Sequence, residues 1–192
     1  MSHFRSLLAK HPLRVALLVT IVVAIVATSA FAYWLSPPHK SGPKASTVSQ
    51  PLEFTIELDK TEFQQGEDVT VRLSLRNISN ETITVAWPNY HIYEGMVMYF
   101  NFNVLDENGT VVYAWKMNYG YAQAFITRPL EPNEEITNAY PWHQLTDLAL
   151  GSGQVPEGSY SVRGLSRLFE LTVGNQKTKM TLETPTIAFT IT

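Results

Sequence analysis

Cysteine is missing from all 192 residues. That rules out a disulfide framework, a thiolate metal site and a cysteine nucleophile, so the fold must hold by packing alone. In an exported chain, zero cysteine is compatible with a prokaryotic surface protein. Acid is missing from residues 1–50, which hold five Lys or Arg, whereas residues 51–192 hold nine Lys or Arg against seventeen acids, giving +5 and −8. An acidic body gains nothing from counterion release, which sets nucleic acid aside as a partner. The motifs of catalysis are missing too. There is no phosphate-cradling glycine loop and no G-x-S-x-G elbow. His91 and His143, the two histidines beyond the N-terminal 50 residues, have neither His-x-x-x-His spacing nor an acidic partner motif. Asp106-Glu107 and Glu134-Glu135 are adjacent acids, which a strand would point to opposite faces. The expectation is therefore no cofactor, no metal and no enzyme. An enzyme with a dispersed site is the third-ranked reading.

One long apolar run is present. Residues 15–35 carry no charge, and at about 1.5 Å per residue such a helix crosses a hydrocarbon core of roughly 30 Å. Arg5, Lys10 and Arg14 precede it, and Phe31, Tyr33 and Trp34 cluster at its far end. The positive-inside rule and the aromatic belt then read as a single-pass anchor, with residues 1–14 as a cytoplasmic basic tail and everything after residue 35 outside. Ala30-Phe31-Ala32 also has the small-x-small pattern of a cleaved signal peptide. The length of the run and the bulky Tyr33 and Trp34 favour the anchor, and either reading exports the domain. Residues 36–51, rich in Pro, Ser and Lys, read as an extended tether.

Residues 52–192 read as one all-β domain, because apolar side chains recur with period two. Leu52, Phe54, Ile56 and Leu58 form one set; Val69, Val71, Leu73 and Leu75 a second, with Thr70, Arg72, Ser74 and Arg76 facing water. Ile83, Val85 and Trp87 form a third, and Met98, Phe100, Phe102 and Val104 a fourth. Asp106-Glu107-Asn108-Gly109 supplies a turn into a returning strand from Thr110 to Trp115, the clearest hairpin in the chain. Seven or more short strands with regular turn signals predict an antiparallel, immunoglobulin-like β-sandwich, with a small barrel as the alternative. Residues 139–153 are hardest to place, and a short helical turn is expected around residues 144–150.

The order of these residues resembles the BsuPI-type intracellular proteinase inhibitor domain from about Phe54 to Leu165. Gly66, Val69, Val71, Leu73, Leu75, Asn77 and Ser79 look like its second strand. Phe102, Val104, Asp106, Gly109, Val112 and Trp115 follow. Leu130, Pro132 and Glu134, then Trp142, then Val155, Pro156, Gly158, Tyr160, Val162 and Gly164, resemble its later steps. The resemblance implies an immunoglobulin-like sandwich and a proteinase as partner, and it transfers no reactive-site residue. Architecture accounts for most of these positions: the glycines serve turns, the valines and leucines the core. Tyr160 is placed to bond its hydroxyl back to the chain in a tyrosine corner.

Aromatic residues crowd three segments that read as loops. Trp87, Tyr90, His91 and Tyr93 form the first, Tyr119 and Tyr121 follow Trp115 in the second, and Trp142 and His143 lie in the third. Tyr and Trp give the most contact area per rotamer fixed, so these are the candidate binding residues, provided the tryptophans are not simply core. Asn77, Asn80 and Asn108 head N-glycosylation sequons at expected turns, so an exported domain would be a candidate glycoprotein. The combined reading is a membrane-anchored extracytoplasmic binding module whose partner is a protein, a proteinase by resemblance. The alternative is a carbohydrate-binding or cell-envelope structural domain facing an envelope glycan.

Overall fold

The computed structural model describes residues 42–88, 91–93, 96–115, 125–146 and 153–192. The expected basic tail and membrane helix lie outside the described residues, among which no helix is long and apolar enough to cross a membrane. Residues 41–192 form one compact unit, and its described secondary structure is all β.

The strands are β1 (Lys44–Ser49), β2 (Leu52–Leu58), β3 (Glu62–Phe63), β4 (Val69–Asn77), β5 (Ile83–Pro88), β6 (His91–Tyr93), β7 (Met96–Met98) and β8 (Phe100–Leu105). They continue with β9 (Val111–Ala114), β10 (Phe125–Leu130), β11 (Glu135–Trp142), β12 (Gly158–Ser166), β13 (Phe169–Val173), β14 (Gln176–Met180) and β15 (Ile187–Ile191). One sheet has the order β1-β2-β4-β11, a second β3-β15-β12-β8-β9 and a third β10-β5-β13-β14, while β6 and β7 pair only with each other. Every pairing is antiparallel except β3 with β15.

The period-two sets become the inner faces of a sandwich. Leu52, Phe54, Ile56 and Leu58 are fully buried, as are Val69, Val71, Leu73 and Leu75 from β4 and Phe100, Phe102 and Val104 from β8. Burying each such side chain contributes about 1.5–3 kcal/mol. The first two sheets meet where Phe54 lies 5.2 Å from Phe100 and Tyr140 lies 5.7 Å from Phe102, ring centre to ring centre. Gly164 of β12 permits a close approach, since a Cβ there would sit 2.4 Å from Leu73 Cδ2. Ser74, expected to face water, is only 9% exposed. It occupies a central strand, between Thr55 of β2 and Thr137 of β11.

The third sheet arises at a corner where two chain segments change sheets together. β4 leads into β5 through residues 78–82, and β10 leads into β11 through residues 131–134. Asn77 holds both. Its main-chain N–H donates to the Glu134 carbonyl and its carbonyl accepts from Asn133 N–H. Its Nδ2 donates to the Glu81 and Leu130 carbonyls at 2.8 and 2.9 Å, and its Oδ1 accepts from the N–H and hydroxyl of Ser79. Pro129 and Pro141 fall on β10 and β11, which are both edge strands, the place where a missing N–H does least harm.

Two sequence expectations need correcting. The tether was expected to run to residue 51, yet Lys44–Ser49 forms β1 and pairs with β2 along its whole length. This strand is held by main-chain pairing, and only Ala45 packs on the core. It carries no alternating apolar set to announce it. Near residues 144–150, Gln144 adopts φ 56° and Leu145 bridges to Gln154, so the start of the expected helical turn is irregular instead; residues 147–150 lie outside the described residues. The Asp106 turn does form, with Gly109 at φ 78° and Asp106 Oδ1 accepting from the N–H groups of Asn108 and Thr110. The tyrosine corner forms as well, the Tyr160 hydroxyl donating to the Pro156 carbonyl at 2.6 Å.

Candidate functional site

Of the sequence-selected aromatic residues, the two tryptophans lie inside the domain. Trp87 is 2% exposed and lies 4.4 Å from Tyr99 and 6.1 Å from Phe169, ring centre to ring centre. Its buried indole Nε1 has no hydrogen-bond partner among the described residues, where ring packing places it. Trp142 is 1% exposed and packs on a different set, Tyr113, Tyr160 and Phe189, while its Nε1 donates to the Leu145 carbonyl. Both tryptophans are therefore core residues, not contact residues. His143 is exposed, with Nδ1 2.6 Å from Asp68 Oδ1. Tyr90, Tyr119 and Tyr121 lie outside the described residues. His91 and Tyr93 open and close β6, opposite Met98 and Met96 of β7.

Asn77 is fully buried and both amide hydrogens are taken, so architecture accounts for it and leaves no room for a glycan. Asn80 and Asn108 are exposed. Among the described residues, no group of three or more His, Asp and Glu side chains is placed to hold a metal ion.

Two features near these residues were not foreseen. The first is the root of the β6–β7 ribbon, where the chain passes from Met98 through Tyr99 into β8. Asn138, on edge strand β11, donates from Nδ2 to the Val97 carbonyl at 3.1 Å and accepts at Oδ1 from Tyr99 N–H at 2.9 Å. The side-chain amide stands in for the missing neighbouring strand. Two residues on, the buried Tyr140 hydroxyl donates to the Phe100 carbonyl at 2.8 Å and accepts from Phe100 N–H at 3.1 Å. Burial pushes the Tyr140 phenol well above its ordinary range, so it stays neutral and able to donate. Arg128 of β10 completes the root. Its guanidinium is held charged first by the hydrogen bond to Glu134, at 3.1 Å, and further by the Tyr99 hydroxyl. An asparagine inside a strand is uncommon, and Asn138 between Thr137 and Ala139 was the available signal.

The second feature is Gln144, fully buried. Nε2 donates to the Gln64 and Glu67 carbonyls at 2.8 Å each, and Oε1 accepts from Gly66 N–H at 2.8 Å and from Gln154 Nε2 at 3.2 Å. This one side chain fastens the β3–β4 connection to the segment after β11. Nearby, the Tyr160 hydroxyl is raised above its ordinary range, mainly by burial and further by Asp106 and Glu107.

Sheets packed around a buried apolar core define a β-sandwich. The chain belongs to the BsuPI family of intracellular proteinase inhibitors, whose family model matches residues 56–170. No curated protein matches it. Among solved structures it is similar to a β-glucosidase from Listeria innocua in complex with glucose, at 15% identity and TM-score 0.36 over 76% of this chain. The same enzyme described without that ligand gives 14% identity and TM-score 0.37 over 76% of this chain. The chain spans 16% of the length of either glucosidase chain.

Proposed function

We propose that this chain is a proteinase inhibitor whose sandwich is displayed on the outer side of a membrane by residues 15–35. The family match over residues 56–170 is the observation that carries inhibition. The uncharged run and the basic residues before it support the anchored topology. Family members are described as intracellular; an anchor would present the same module to a different set of proteinases. The partner is then a protein, and the residues that meet it belong to connections held rigid by the sandwich.

Inhibition is tested by titrating the purified full chain into representative serine, cysteine and metalloproteinases and reading residual turnover. A fall in activity at stoichiometric inhibitor for one class is the expected result. Full activity in every class overturns the proposal. The topology is tested by protease shaving of intact cells, where loss of the domain with retention of an N-terminal fragment is expected and a fully protected domain would refute the outward orientation.

A further inference from the structure

We infer that the outer edge of β14 is a docking site for an extended protein segment carrying Asp or Glu at alternate positions, which joins the third sheet as a further antiparallel strand beside Lys177 and Lys179. The site lies beyond residue 170, where the family match ends, and does not rest on the inhibitory reading.

β14 is built unlike the strands of the core. β2, β4, β8 and β12 each turn an alternating apolar set inwards. Gln176, Lys177, Thr178 and Lys179 are instead all exposed, and only Met180 packs on the core. Exposure on both faces means that this strand stands clear of the other sheets. It closes the order β10-β5-β13-β14, and no other described strand pairs with it. The turn fixes which main-chain groups it offers. Val173 lies opposite Gln176 across the two-residue turn Gly174-Asn175, with Gly174 at φ 55°. A pair that closes so short a turn exchanges both of its main-chain hydrogen bonds, and in an antiparallel ladder such pairs alternate with pairs that exchange none. Val173 with Gln176, Leu171 with Thr178 and Phe169 with Met180 are therefore the bonded pairs. The N–H and C=O groups of Lys177 and Lys179 point the other way, out of the sheet edge. The two residues that offer main-chain bonds are thus the two that carry charge.

Charge decides what such an edge accepts. Residues 51–192 hold nine Lys or Arg against seventeen acids, yet β14 places two lysines two positions apart and so on one face. Lys177 Nζ lies 2.8 Å from Glu170 Oε1, while Lys179, opposite Glu170 in the register, makes no ion pair among the described residues. Two copies of this chain paired through β14 and centred on Thr178 would set Lys177 of each opposite Lys179 of the other, and like charges directly opposite destabilise a strand pair. The same lysines stabilise a neighbour that brings a carboxylate to each. Edge lysines commonly keep sheets from joining; here they do so selectively, turning away a second copy and admitting an acidic strand. Recognition follows the strand-addition mode, in which main-chain bonds give affinity and alternate side chains give the choice of partner.

The test uses the purified full chain and a capped peptide of alternating Thr and Glu, with the same peptide carrying Gln in place of Glu as control. Hydrogen exchange read by mass spectrometry should slow within residues 176–180 when the Glu peptide is added and not when the Gln peptide is. By fluorescence anisotropy, Lys177→Gln with Lys179→Gln should bind the Glu peptide roughly two- to thirtyfold more weakly, the range for losing two cross-strand charge pairs. Lys177→Glu with Lys179→Glu should lose the Glu peptide and gain a peptide of alternating Thr and Lys. Both positions are exposed, so Tm should stay close to that of the parent and a loss of binding reports the edge itself. No binding of the Glu peptide, equal binding of the Gln peptide, or protection that falls outside residues 176–180 would overturn the inference. So would protection of that strand that grows with the chain's own concentration and no peptide present, which would give the edge to a second copy. Inhibition is read separately against proteinases: its failure leaves this result intact, and failure here leaves inhibition standing.

Discussion

Gln144→Ala is a severe polar substitution, because the side chain is fully buried and fully bonded. It removes four hydrogen bonds from a fully buried side chain and strips a partner from the Glu67 carbonyl and the Gly66 N–H, while the Gln64 carbonyl keeps the Glu67 N–H. Each buried group left unpaired costs about 1–3 kcal/mol. Water can enter at a connection near the surface, so the sum should settle at about 2–4 kcal/mol. For a domain of this size that is a fall in Tm of roughly 4–16 °C. Gln144→Glu sharpens the argument because it keeps shape and changes only chemistry. The new carboxyl would face two carbonyls on one side and lie in the interior, and both disfavour its charged form. Its folded pKa should therefore rise above the unfolded value of about 4.3. Between those two values the folded state holds the extra proton, so stability falls as pH rises through the window and is flat above it. The variant should approach the parent near pH 4 and fall away towards neutrality. Urea midpoints measured from pH 4 to pH 8 decide the matter. A gap between Gln144→Glu and the parent that does not change with pH would refute the buried, carbonyl-facing placement.

Gly164→Ala should destabilise by about 1–3 kcal/mol, because the new methyl meets Leu73 Cδ2 inside a filled interior; thermal unfolding checks it. Asn77→Ala should cost about 2–4 kcal/mol through the loss of both main-chain carbonyl contacts at the corner, measured by urea denaturation. When the domain is expressed in a glycosylating host, peptide mass spectrometry should find sugar on Asn80 or Asn108 and never on Asn77. Glu134 is held below the ordinary carboxylate range, first by the Glu131 N–H and then by Arg128. Its contribution is therefore present above pH of about 4.3 and lost as pH falls through the lower folded value. Glu134→Gln should narrow its gap to the parent on acidification, as read from urea midpoints against pH.

Period-two alternation was enough to place β2, β4, β5 and β8, because a side chain buried on one face and wet on the other writes itself into the order of residues. Hairpin and corner chemistry was legible for the same local reason: Gly109 and Tyr160 act on residues a few positions away. β1 escaped notice because main-chain pairing holds it, and main-chain pairing has no side-chain signature. The switch of β4 into β5 and of β10 into β11 escaped for a different reason. Asn77 reads as an ordinary turn asparagine, and its partner at Leu130 is distant in sequence. The tryptophans misled because residue type reports how much area a side chain offers, not which way it faces. Trp87 and Trp142 offer theirs to the interior.

That distinction also bears on the candidate site, two of whose sequence-chosen residues, Trp87 and Trp142, lie in the core. A binding surface built from side chains can be sought by composition, as the aromatic clusters were. A surface built from main chain is announced only by the polar side chains that hold it, and these look like misplaced residues: an asparagine inside a strand, a tyrosine whose hydroxyl is buried. Asn138 and Tyr140 sit two apart on β11, so they share one face of the strand, and both aim their polar atoms at the main chain of residues 97–100. A half-buried asparagine and a buried tyrosine hydroxyl placed for strength alone would be a poor use of this face, since apolar residues of the same shape would serve as well. Their shared target is what gives them a purpose: they fix where the ribbon leaves the sandwich.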